Sequence, residues 1–175
     1  MKKNLVIAAI AAIFVAVIAL SVAVRSTTVT AAGPSASANG HGTLLVTDPN
    51  GKTVRRQFSF SAKQMPDGSV KGNAILHNAQ YDPRYDAQFE ITCLQVVGNR
   101  ASFGGSIKKT SDPAFNDEFD AAFFTVYDNG EPGKAVDTIS AVYFDNVVPP
   151  SSCQFIGPND FVQMPIQSGN VQVRP

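Results

Sequence analysis

Two patterns divide the chain. Residues 5–24 are apolar throughout apart from Ser21, with Lys2 and Lys3 before them and Arg25 after. From about residue 40 onward, apolar and polar positions alternate in short runs, and turn residues interrupt those runs every ten or so positions. Period-two alternation bounded by Gly, Pro, Asn and Asp is the pattern of half-buried strands. No stretch of ten residues carries helical periodicity.

The alternation predicts about eight strands. The first covers residues 42–47 and ends at Asp48-Pro49-Asn50-Gly51, whose Asn-Gly suits the positive φ of a tight hairpin. The second, 53–63, points Phe58, Phe60 and Ala62 one way and Ser59 and Ser61 the other. After the Pro66-Asp67-Gly68 turn, the third spans 70–77 with Gly72, Ala74 and Leu76 inward. A loop over 77–86 leads to the fourth, 87–97, where Phe89, Ile91 and Cys93 share a face. Leu94 and Val96 have the opposite parity, which predicts a bulge near Cys93 or burial on both faces. Gly98-Asn99 turns the chain into the fifth, 101–108, with Phe103 and Ile107 inward and Gly104-Gly105 allowing a close approach or a bend. A loop over 110–118 precedes the sixth, 121–127, and another over 128–135 precedes the seventh, 138–144. Residues 147–158 form an irregular return holding Cys153. Residues 161–165 and 170–174 form a last strand, broken at 167–169. Consecutive hairpins predict an all-β domain over 40–175, an antiparallel meander closing into a barrel or folding into a sandwich.

The apolar N-terminal run reads as an export helix. It is long for a cleaved signal, whose core is about 7–15 residues, and just reaches the roughly 20 residues a spanning helix needs. Small residues at Val29-Thr30-Ala31 offer a cleavage site. Residues 1–31 are therefore a signal peptide or a membrane anchor, and both readings stay open. Either places the remainder outside the cytoplasm, secreted or anchored through residues 5–24. Residues 32–39, small and polar, read as a flexible leader.

Charge narrows the partners. All 14 acidic residues follow residue 31, against 11 basic ones (14 less Lys2, Lys3 and Arg25), a net charge of −3. With no basic block, the domain lacks the footprint of a nucleic-acid binder. The partner is an unidentified protein or small ligand, and membrane contact comes only through an uncleaved helix. Cys93 and Cys153 are the only cysteines, and in an exported chain they are expected to pair.

Four segments, in order, resemble a group of small exported bacterial domains without assigned activity, including those labelled post-COAP-1. They are Val70-Lys71-Gly72; Thr92-Cys93-Leu94 through Gly98-Asn99-Arg100-Ala101 to Phe103-Gly104-Gly105; Asp128-Asn129-Gly130-Glu131-Pro132-Gly133 with Asp137-Thr138-Ile139-Ser140; and Gly169-Asn170-Val171-Gln172-Val173. The resemblance implies an exported all-β domain and no reaction. The aromatic loop from Tyr81 to Tyr85 departs from it.

Candidate chemistry is sparse. His41 and His77 are the only histidines; His41 begins a strand and His77 ends one, which suits surface or capping roles. A zinc site wants three or four ligands, and with the cysteines bridged no such set is left. There is no G-x-S-x-G nucleophile elbow, and Gly104-Gly105-Ser106 lies within a strand. The domain is thus expected to be non-catalytic, a binding or interaction module. The alternatives are a membrane-anchored structural accessory domain of the envelope and a hydrolase with an unrecognised site. Tyr81, Arg84, Tyr85 and Phe115 come from loops at one end of the meander and form a candidate binding patch. Asp128, Asn129, Glu131 and Asp137 offer oxygens for a weak Ca²⁺ site, although the same residues serve plain turn chemistry. A second acidic loop with Asp112, Asn116, Asp117, Glu118 and Asp120 belongs to the opposite end. No other cofactor is expected. The absence of Trp argues against a sugar platform built on large aromatic faces. A barrel interior could hold a small apolar ligand, unless Phe58, Phe60, Phe89, Phe103 and Phe124 fill it.

Overall fold

A computed structural model describes residues 35–80, 84–111, 118–130 and 136–175. The chain divides into Met1–Ala31 and Ala32–Pro175. The export segment and the leader residues 32–34 lie outside the described residues.

The strands are β1 Ala36–Thr47, β2 Thr53–Gln64, β3 Val70–Asn78, β4 Tyr85–Val97, β5 Arg100–Thr110, β6 Ala121–Tyr127, β7 Thr138–Ser140, β8 Tyr143–Asp145, β9 Gln163–Pro165 and β10 Ser168–Arg174. All pair antiparallel in one sheet, ordered β10-β1-β2-β3-β4-β5-β6-β7-β9, with β8 also on β6. The sheet curls into a half-barrel, not a two-sheet sandwich. At the β1–β2 hairpin, Gly51 takes φ +80° and the Asp48 carboxylate accepts the Asn50 and Lys52 amides.

Three strand expectations need correction. Residues 161–165 and 170–174 are not one broken strand: β9 pairs with β7 and β10 with β1, at opposite ends of the strand order. β1 starts at Ala36, so residues 36–39 are strand, not leader, and His41 sits mid-strand. Small residues suffice there because backbone pairing to β2 and β10 supplies the ladder, while Ala38 is buried in the core. The expected seventh strand is two, β7 and β8. The Ser140 hydroxyl accepts the Thr125 amide and donates to the Ala141 carbonyl, which interrupts the ladder.

The inner face is apolar on alternate residues, as the pattern requires. Phe103 stacks on Phe124 at 4.4 Å, and Phe60 meets both rings edge-on at 5.1 and 5.6 Å. A pocket beside Phe58, Phe60, Phe89 and Phe124 measures about 20 Å³, room for about one water-sized sphere.

A bulge at Thr92 switches the parity of β4. Ile91 pairs with Gly105 while Cys93 pairs with Gly104. Ile91 and Leu94 therefore both reach the main core, and Cys93 turns outward instead of sharing a face with Phe89 and Ile91. There it meets the return segment 146–162, which crosses the outer face. Cys93, Ala121, Phe123, Cys153 and Ile156 form a second small core, locked by the Cys93–Cys153 disulfide, Cα–Cα 5.8 Å. A Cβ on Gly104 would lie 2.6 Å from the Pro150 carbonyl, so glycine is what admits the cover. β6, the second half of β4 and the first half of β5 are thus largely buried on both faces, while Gln88, Glu90, Lys108 and Lys109 stay exposed.

Candidate functional site

The loop end of the half-barrel is organised by Asp86. β3 runs to Asn78 and β4 begins at Tyr85, so His77 and Asp86, read as the two ends of a loop, are cross-strand partners. His77 Nδ1 lies 2.7 Å from Asp86 Oδ1, which also accepts the Asn78 amide at 3.0 Å. Asp86 Oδ2 accepts from Arg84 Nε and Nη2 at 2.9 and 2.7 Å. Burial raises the Asp86 carboxyl, but the Asn78 amide, Arg84 and His77 outweigh it and hold the group below its ordinary value. On the next strand, the Ser111 amide donates to the Asp86 carbonyl, and the Ser111 hydroxyl accepts the Asp86 amide and donates to the Arg84 carbonyl. The stems of the loops that follow β3 and β5 are therefore bonded side by side. A groove of about 280 Å³ opens beside them, lined by Ile75, His77, Gln88, Lys109 and Ser111 among others.

Of the binding patch, Tyr81 and Phe115 lie outside the described residues. Arg84 is exposed on the outer surface. Tyr85 is on the inner face, its ring 6.1 Å from Phe144, which also contacts Phe89 and Phe119. Arg84, just before β4, is thus turned to solvent while the Tyr85 ring packs against the core.

Of the calcium candidates, Glu131 lies outside the described residues. The oxygens of the other two carboxylates already hold backbone amides. Asp137 Oδ1 accepts the Asn129 amide at 2.9 Å and Oδ2 the Val171 amide at 2.8 Å. Asp128 Oδ1 accepts the Gly130 amide at 3.1 Å and Oδ2 the Val173 amide at 3.0 Å. Val171 and Val173 belong to β10, whose far edge has no neighbouring strand among the described residues. The two carboxylates stand where a further strand would present carbonyls, which shields that edge from foreign pairing. Asn129 donates through Nδ2 to the Val136 carbonyl. Among the described residues, no group of three His, Cys, Asp or Glu side chains is placed to hold a metal ion. Of the second acidic loop, Glu118 and Asp120 are exposed, and Asp112, Asn116 and Asp117 lie outside the described residues.

Sequence reading missed the His77–Asp86 pair because it placed the hairpin ends one or two residues short. Register from the second strand onward would have found it. No protein-family model matches the chain, and no curated protein or solved structure matches it either.

Proposed function

We propose that this is a non-catalytic extracytoplasmic binding or interaction module that works through its surface. The observation that carries this reading is the filled interior: Phe60, Phe103 and Phe124 occupy the space a barrel would offer a ligand. The disulfide supports an oxidising location outside the cytoplasm, and the resemblance to small exported domains agrees. The stems at Arg84, Asp86 and Ser111 are bonded side by side, and loops on a fixed scaffold are where recognition is commonly built. Capture of envelope components by the wild-type protein, set against the double variant Tyr81→Ala/Phe115→Ala, tests the loop end. Undiminished capture would remove those loops from the reading. The mass of the protein recovered from cells decides whether residues 1–31 are cleaved or remain as an anchor.

The groove supports a second reading, a hydrolase. With Asp86 at Nδ1, His77 can present Nε2 as a base to water in the groove. Water in the groove would be the nucleophile. Ester hydrolysis that disappears in His77→Ala would support it; equal background rates in both proteins would dismiss it.

A further inference from the structure

The outer face of the half-barrel is divided in two. β6 and the adjoining stretches of β4 and β5 lie under the return segment, and the rest of those two strands carries the exposed Gln88, Glu90, Lys108 and Lys109. Among the described residues nothing lies over β10, β1, β2 and β3, and their registers align three rows of outward side chains. The middle row is Asn170, His41, Ser59 and Ile75. One flanking row runs from Gln172 on β10 through Ser61 to Asn73, and the other from Ser168 through Gln57 to His77. Across all three rows there is no Asp, Glu, Lys or Arg.

Charged residues make up 16% of the chain and belong on such faces, so their absence over twelve adjacent outward positions needs a cause. Charge returns at the margins. Lys63, Lys71 and Arg174 close one end, Arg55 the other, and Glu90 and Asp86 flank the rows along β4. At about 4.8 Å between strands and 6.7 Å between same-face residues, the cleared area spans about 14 by 13 Å between Cα positions.

We propose that this face binds a neutral glycan. Ser, Thr, Asn and Gln side chains both donate and accept, which matches sugar hydroxyls that do the same. A fixed charge facing an uncharged partner would lose hydration without compensation, so a face cleared of charge complements a ligand without charge. A protein partner fits less well, since protein interfaces lean on aromatic and Arg anchors. Within the three rows Ile75, 40% exposed, is the one apolar side chain and there is no Arg; Leu45, 48% exposed, and Arg55 lie just beyond them. The groove at the β4 margin offers Ile75 to the C–H face of a ring, beside Gln88, and its charged lining residues Asp86 and Lys109 stand outside the cleared rows. Without an aromatic platform, the affinity per site is expected in the millimolar range.

This inference rests on the binding-module reading but not on the loop end. Electrophoresis of the purified protein through gels containing hydroxyethylcellulose, galactomannan or, as an anionic control, pectate reads it directly. At least one neutral polymer should retard the protein. Ser59→Lys and Asn73→Lys, outward substitutions checked for an unchanged melt, should weaken retardation at least tenfold, and Tyr81→Ala/Phe115→Ala should leave it intact. The proposal is overturned if no neutral polymer retards the protein, if pectate alone does, or if the lysine variants behave as wild type. Loss in the loop variant alone would move binding to the loop end and likewise overturn it.

Discussion

Replacing Asp137 by Ala removes two acceptors from the seam beside β10. The side chain is 7% exposed, and Val171, whose amide it accepts, is 1% exposed. A hydrogen bond to a charged group contributes about 1.5–3 kcal/mol, and a buried donor left without a partner costs about 1–3 kcal/mol. The Asn129 amide is nearer water and recovers part of its loss, so the two contributions do not simply add. The expected destabilisation is about 3 kcal/mol, a drop of about 10 °C in Tm for a domain of this size. Asp137→Asn should come close to it, because its amide nitrogen must face one of the two donors. Asp128→Ala is the internal comparison. Asp128 and Val173 are half-buried, so water can replace the lost acceptor and the cost should stay near 1 kcal/mol. Urea titrations with equal m-values would read all three on one scale. A loss under about 1 kcal/mol for Asp137→Ala, or equal losses for Asp137→Ala and Asp128→Ala, would refute the idea that buried carboxylates replace a strand at this edge.

Reducing the Cys93–Cys153 bridge, which closes a separation of 60 residues, should cost about 4 kcal/mol on the chain-entropy view; an unchanged melt in reductant would contradict that. Gly104→Ala should lose about 1–3 kcal/mol, since its Cβ would meet the Pro150 carbonyl at 2.6 Å and the Phe123 ring at 3.0 Å; a neutral effect would show that the cover yields freely. The lowered Asp86 carboxyl stabilises the fold fully above its ordinary unfolded value, about 3.9, and that contribution is lost as pH falls through the lower folded value. Asp86→Asn should therefore flatten the acid limb of the stability curve below about pH 4, and an unaltered limb would count against the clamp. Millimolar calcium should leave the melt in place, because Asp128 and Asp137 already accept amides; a rise of several degrees would restore the metal reading.

The meander from β1 to β6 was legible because each hairpin couples an alternation to a turn that only certain residues make. Phe58 and Phe60 against Ser59 and Ser61 set the faces, and Asn50-Gly51 set the reversal. Ala36 to Asn39 were not legible, since strands of small residues are defined by the neighbours that pair with them and not by their own side chains. Tyr85 looked like a loop aromatic because the turn was drawn two residues too wide. In a strand, one residue of error exchanges inside for outside. The use of Asp128 and Asp137 was hidden for a different reason. A carboxylate bonding an amide 34 or 45 residues away leaves no local pattern.

The return segment explains why a disulfide is needed where it is. Between Asp145 and Gln163 the chain passes over the outer face without regular secondary structure, and long excursions of that kind are uncommon in compact domains. Its carbonyls take hydrogen bonds from side chains beneath: Thr92 at Pro150, Arg100 at Ile156 and Tyr127 at Pro158. Its first amides are held by Asp145, which accepts from Val147 and Val148. These contacts come singly and lack the cooperativity of a ladder, and the second core they enclose is small. A covalent tie from the bulged position of β4 fixes the segment at its middle. Sequence alone placed Cys153 in an irregular stretch and Cys93 near a parity break. Joining the two observations would have placed the cover over β4, because a cysteine turned outward by a bulge can meet its partner only on that face. With β6 and the adjoining stretches of β4 and β5 covered in this way, the outward rows of β10 to β3 are a broad open surface among the described residues, on which composition is free to answer to a partner.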